Sequence, residues 1–165
     1  MHWRTALLVG PVLAMVAQSA FAACPVELAV YKAERGEVSL EFTPGEREAA
    51  VSNRFRLLYP DNAILEGLVL WTEPVPRPVG LLMKNCPEGD TTGDELAACT
   101  PWRGTIYGVS KTGNISLLPR QGEGAAPEKL LLPDLEMALH QAERLGGAEA
   151  PKAPGDVFVL TGCQE

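Results

Sequence analysis

The sequence is short of the groups that run most enzyme chemistry. It has two histidines in 165 residues. One of them, His2, lies in an N-terminal segment that is expected to be removed. That leaves His140, so paired Ser–His or Cys–His catalysis and histidine-rich zinc sites lack parts. Ser39, Ser52, Ser110 and Ser116 lie in strand or turn patterns without the glycines of a nucleophile elbow. The glycines at 122 and 124 have no Lys-Ser/Thr pair after them, so no phosphate-binding loop is indicated. Positive charge is scarce too, with 14 Lys and Arg against 21 Asp and Glu and a formal net charge of −7. Such a chain is repelled at long range by nucleic acid and anionic membranes. Beyond the N-terminal segment, no apolar run approaches the roughly 20 residues that span a bilayer.

The N-terminal segment itself is informative. Met1–Arg4 is basic, Thr5–Phe21 is uncharged and mostly apolar, and Ala20-Phe21-Ala22 is an A-x-A-like cleavage site. This is the pattern of a secretory signal peptide. The apolar run contains Gly10 and Pro11, which argues against a spanning anchor. Cleavage after Ala22 would leave residues 23–165 as one small exported domain, periplasmic or secreted. The chain is then one unit more negative, since Arg4 is lost.

Four cysteines, Cys24, Cys86, Cys99 and Cys163, lie in the mature chain. An even number in an exported protein indicates two disulfides. Cys86–Cys99 is favoured because the two are close in sequence, which leaves Cys24–Cys163 to tie the ends together. A lipid anchor at Cys24 is disfavoured: Phe21 stands where lipoprotein signals carry an aliphatic residue, and three thiols would be left over. The cysteines also lack the close pairing of a zinc site.

Strand patterns dominate the rest. Val38, Leu40 and Phe42 alternate with Glu37, Ser39 and Glu41, and Phe55, Leu57 and Tyr59 alternate with Arg54 and Arg56. Period two marks strands with one buried face. Ala63–Thr72 is apolar on both faces apart from Glu66, as expected of a strand covered on both sides. Pro74, Pro76 and Pro78 suggest a stiff crossover loop. Gly104–Ser110, a turn at Lys111–Asn114 and Ile115–Leu118 read as a hairpin. One amphipathic helix is expected from about Pro133 to Leu145, with Leu135, Ala138, Leu139, Ala142 and Leu145 in one stripe and Pro133 in the first turn. Asp156–Gly162 is the last strand. Stretches 120–127 and 146–155 have the composition of flexible loops. The expected fold is α+β: a mostly antiparallel sheet of about seven or eight short strands, one helix near the C-terminus, and two disulfides.

Candidate sites are few. His140 lies off the apolar stripe and reads as an exposed helix residue. Asp90, Thr92, Asp94 and Glu95 supply hard oxygen ligands at close spacing, a possible calcium loop, although the order departs from an EF-hand. Trp102, Arg103 and Tyr107 follow the Cys86–Cys99 loop, and Trp102 is expected to be partly exposed there for partner contact. Trp71 is assigned to the core. The expected function is a non-catalytic exported domain that binds a protein or small ligand and needs no cofactor. Alternatives are a small carboxylate-dependent hydrolase and an enzyme inhibitor presenting the 86–99 loop.

Overall fold

The computed structural model describes residues 23–45, 50–144 and 153–165. The N-terminal segment expected to be a signal peptide, Leu145 and most of the 146–155 stretch therefore lie outside the described residues. A 3-10 turn, Val26–Leu28, leads into β1 (Ala29–Ala33), β2 (Ser39–Thr43), β3 (Val51–Leu58), β4 (Ile64–Trp71) and β5 (Pro78–Met83). A short helix α1 (Gly93–Ala98) precedes β6 (Trp102–Thr105), β7 (Tyr107–Val109), β8 (Ile115–Leu117) and β9 (Lys129–Leu131). Helix α2 (Leu135–Arg144) and β10 (Val157–Cys163) end the chain.

All ten strands belong to one sheet, in the order β6-β5-β4-β3-β2-β1-β10-β9-β7-β8, and every pairing is antiparallel. β6, at one end of the sheet, is followed in the chain by β7, which lies beside the strand at the other end, with only Ile106 between them. The sheet therefore curls into a half-barrel. Ile106 joins its ends, donating to Pro78 O at 3.0 Å and accepting from Leu118 N at 3.3 Å.

The count of ten corrects the seven or eight expected from sequence. The run Gly104–Ser110 starts earlier, at Trp102, and breaks at Ile106 into two strands. The short stretch around Lys129–Leu131 proves to be a full member, paired with both β10 and β7.

The alternating residues place the core inside the curl. One row of cross-strand neighbours runs Phe42, Phe55, Gly67, Leu82, Trp102. A second runs Tyr31, Leu40, Leu57, Leu65. Apart from Gly67, all of these are core residues at 6% exposure or less. Tyr31 meets Phe42 edge-on at 6.1 Å between centroids, and Phe42 meets Phe55 at 6.0 Å. Such aromatic pairs add about 0.5–1.5 kcal/mol beyond the area they bury. Leu135 and Leu139 of α2 join the same core.

The helix differs from expectation at its start. Pro133 is not in the first turn. Asp134 has a left-handed backbone, φ 62°, and the helix begins at Leu135. Its first amides are capped from a distance: Asp156 accepts from Asp134 N at 3.1 Å and from Glu136 N at 2.9 Å. Helix α2 packs on β6. On the outer face of β4, Leu68 and Leu70 are half-buried and Ile64 is 49% exposed, so the double coverage expected of this strand is incomplete among the described residues.

The 120–127 stretch, expected to be flexible, is tied across the half-barrel. Gln121 Nε2 donates to Gly45 O at 2.9 Å and Gly122 N to Glu27 at 3.1 Å. Ala126 N donates to Cys24 O at 2.7 Å. Glycine and alanine there permit close backbone approach to the first residues of the domain. Both expected disulfides, Cys24–Cys163 and Cys86–Cys99, are present.

Candidate functional site

The Cys86–Cys99 loop is an arm that grows from the end of the β5–β6 hairpin. Lys84 N donates to Cys99 O at 2.9 Å, extending the hairpin by one bond. Asn85, at φ 51°, then turns the chain outward. The disulfide closes the arm one residue later.

Order inside the arm is local. Thr92 caps α1, with its hydroxyl accepting from Glu95 N at 3.3 Å. The Glu95 carboxylate accepts from Thr92 N at 2.9 Å and from Thr92 Oγ1 at 2.7 Å. This reciprocal pair is a capping box. The backbone N–H of Thr92 first, and its hydroxyl second, hold the Glu95 carboxyl below its usual range. Cys99 N donates to Glu95 O at 3.2 Å and Thr100 Oγ1 to Leu96 O at 2.6 Å. Yet α1 has no buried residue, and Leu96 is 37% exposed. Glu88, Asp90, Asp94 and Glu95 are also exposed, giving the arm an acidic surface.

The residues proposed for calcium, Asp90, Asp94 and Glu95, all lie on the arm. Glu95 is engaged in the capping box, while Asp90 and Asp94 face solvent. Among the described residues, no three His, Cys, Asp or Glu side chains gather as a metal site.

Trp102, Arg103 and Tyr107 do not form one contact face. Trp102 is 2% exposed, which corrects the expected partial exposure. It lies opposite Leu82 on the inner face of β6, and its Nε1 donates to Pro133 O at 2.9 Å. Its neighbourhood of prolines and a disulfide misled the sequence reading; the parity of β6 places it inside. Arg103, next in the strand, points to the outer face and is exposed. Tyr107 is half-buried in β7, between Leu117 and Leu131. Trp71 was assigned to the core instead. It is half-buried, with the Arg120 guanidinium 4.4 Å from its ring centroid, a cation–π contact. The two tryptophans thus exchange their expected environments. His140 is exposed on α2.

Two surface hollows accompany the arm and the sheet. One, about 490 Å³, lies between the arm and α2 and is lined by Lys84, Ala97, Cys99, Pro101, Ala138 and Gln141 among others. The other, about 660 Å³, gathers Arg35, Glu37, Tyr59, Asp61 and Glu136. Its lining includes the carboxylates of Glu37, Asp61 and Glu136. Glu136, however, is bound to Arg35 at 2.6 Å. Burial first, and the nearby Asp61 charge second, push the Tyr59 phenol up to about 12. Compared with known proteins, the chain matches no family model, no curated protein and no solved structure.

Proposed function

We propose that this chain is an exported, non-catalytic interaction domain that meets a protein partner through the arm closed by Cys86 and Cys99. One observation carries the reading. The arm is ordered by a disulfide and a capping box, yet α1 buries nothing. Order of that kind adds little to the core. It does lower the entropy lost when a segment is held against a partner. Exposed Leu96, amid Asp94 and Glu95, is the apolar centre of an acidic contact surface. Arg103 flanks its base on the outer face of β6.

A photo-cross-linking residue at position 96 tests the proposal in cells that export the protein. The expected result is a defined protein adduct, reduced at least tenfold by charge reversal at Asp94 and Glu95. A probe at Thr112, on the far hairpin, serves as the control. Equal adduct patterns from positions 96 and 112 would overturn the reading.

A further inference from the structure

We propose that Cys86–Cys99 is a reducible latch, the site at which an exported dithiol protein acts to release the arm. The proposal rests on the arm being the contact surface. It adds that the surface is switched.

The two disulfides are set in different surroundings. Cys163 belongs to β10 and lies opposite Ala29 of β1. Gln164 N donates to Leu28 O at 2.8 Å, and Ala126 N donates to Cys24 O at 2.7 Å. If that bridge is reduced, β10 still holds Cys163 and the Ala126 bond still holds Cys24 close by, and the two thiols close again. Cys86 and Cys99 are held otherwise. One backbone bond, Lys84 N to Cys99 O, runs beside them, and among the described residues the hydrogen bonds of Thr91, Thr92, Glu95 and the Leu96 N–H run within the arm. Thr91 Oγ1 donates to Pro87 O at 3.3 Å, and Leu96 N donates to Thr92 O at 3.0 Å. Once α1 is cut loose, a helix of 6 residues with no buried side chain falls below the length at which isolated helices persist. Opening this bridge therefore melts the arm and leaves the core intact. It also opens the hollow of about 490 Å³ between the arm and α2, which Cys99 lines.

The chemistry balances as thiol–disulfide exchange. A thiolate of the dithiol partner attacks one sulfur of the bridge and expels the other as a thiolate, giving a mixed disulfide. The partner's second thiolate then attacks its own sulfur in that mixed bond. The partner leaves as a disulfide. Two electrons have moved to the arm, and Cys86 and Cys99 take up two protons as thiols.

The test uses the full domain in a series of glutathione redox buffers, quenched by alkylation and mapped by peptide mass. Cys86 and Cys99 should become alkylated at a reduced-to-oxidised glutathione ratio at least tenfold lower than Cys24 and Cys163, while the near-ultraviolet dichroism of the core persists. Trypsin should then cut after Lys84 at least tenfold faster than in the oxidised form, as it should in C86S/C99S without reductant. Simultaneous opening of both bridges, earlier opening of Cys24–Cys163, or unchanged cleavage would overturn the latch. An adduct at position 96 that persists equally in C86S/C99S would overturn it while leaving the contact surface standing.

Discussion

Gly67 faces the ring of Phe55 across β3 and β4, and a Cβ there would lie 2.3 Å from the ring. The ring cannot withdraw, because Phe42 packs against it from the next strand. Gly67→Ala should therefore cost about 1–3 kcal/mol of overpacking, read as a lower denaturant midpoint. Gly162→Ala is the matched control: a Cβ there meets nothing within 4 Å, and its stability should stay within about 0.5 kcal/mol. Trp102 holds its inner position through shape and one bond. Trp102→Phe leaves Pro133 O without its donor and should cost about 1–3 kcal/mol; Trp102→Ala should cost about 3–5 kcal/mol. Tyr59 is neutral in the folded state well above its ordinary range, up to about 12. A raised folded value means its share of stability is whole below pH 10 and is lost as pH climbs from about 10 to 12. Denaturant unfolding at pH 9 and pH 11.5 should show that loss, and Tyr59→Phe should reduce it. The same steepness in Tyr59→Phe would assign the loss elsewhere.

At the level of elements, legibility followed local pattern. Strands β2 and β3 were plain from alternation alone, since each has one face in the core and one outside. The pairing of cysteines followed from proximity and elimination. Strand parity near Trp102 was not legible, because the element begins two residues earlier than its glycine suggests. The cap on α2 was hidden for a different reason. Pro133-Asp134 looks like a local helix start, but the capping carboxylate, Asp156, comes from 20 residues beyond Glu136. Asp156→Ala should lower stability by about 1–2 kcal/mol, with the largest gain in amide exchange at the first turn of α2. A change confined to β10 would contradict that role. The outer face of β4 is less covered than its apolar pattern suggests, with Ile64 49% exposed. Leu68 and Leu81 lie between Arg54 and Arg103 in one cross-strand row, where long arginine stems can shield apolar surface.

The whole molecule divides into a half-barrel closed on itself and an arm whose helix α1 buries no residue. The sheet closes on itself through Ile106, α2 joins the core through Leu135 and Leu139, and the ends are tied by Cys24–Cys163. The arm leaves and returns at neighbouring ends of β5 and β6. Nothing in the local sequence pattern distinguished it from a structural staple, because burial is a property of the folded whole. Its acidity and exposed Leu96 make sense as surface for a partner. The central claim is that residues 87–98 are present for contact and not for folding. The direct test replaces them, together with Cys86 and Cys99, by a short Gly-Ser linker and measures denaturant unfolding. Loop-closure entropy changes slowly with length, about 0.6 kcal/mol per doubling. One cooperative transition is expected, with stability within about 1 kcal/mol of the variant C86S/C99S. A domain that no longer unfolds cooperatively, or that loses more than about 3 kcal/mol against C86S/C99S, would show the arm to be part of the fold and contradict the account.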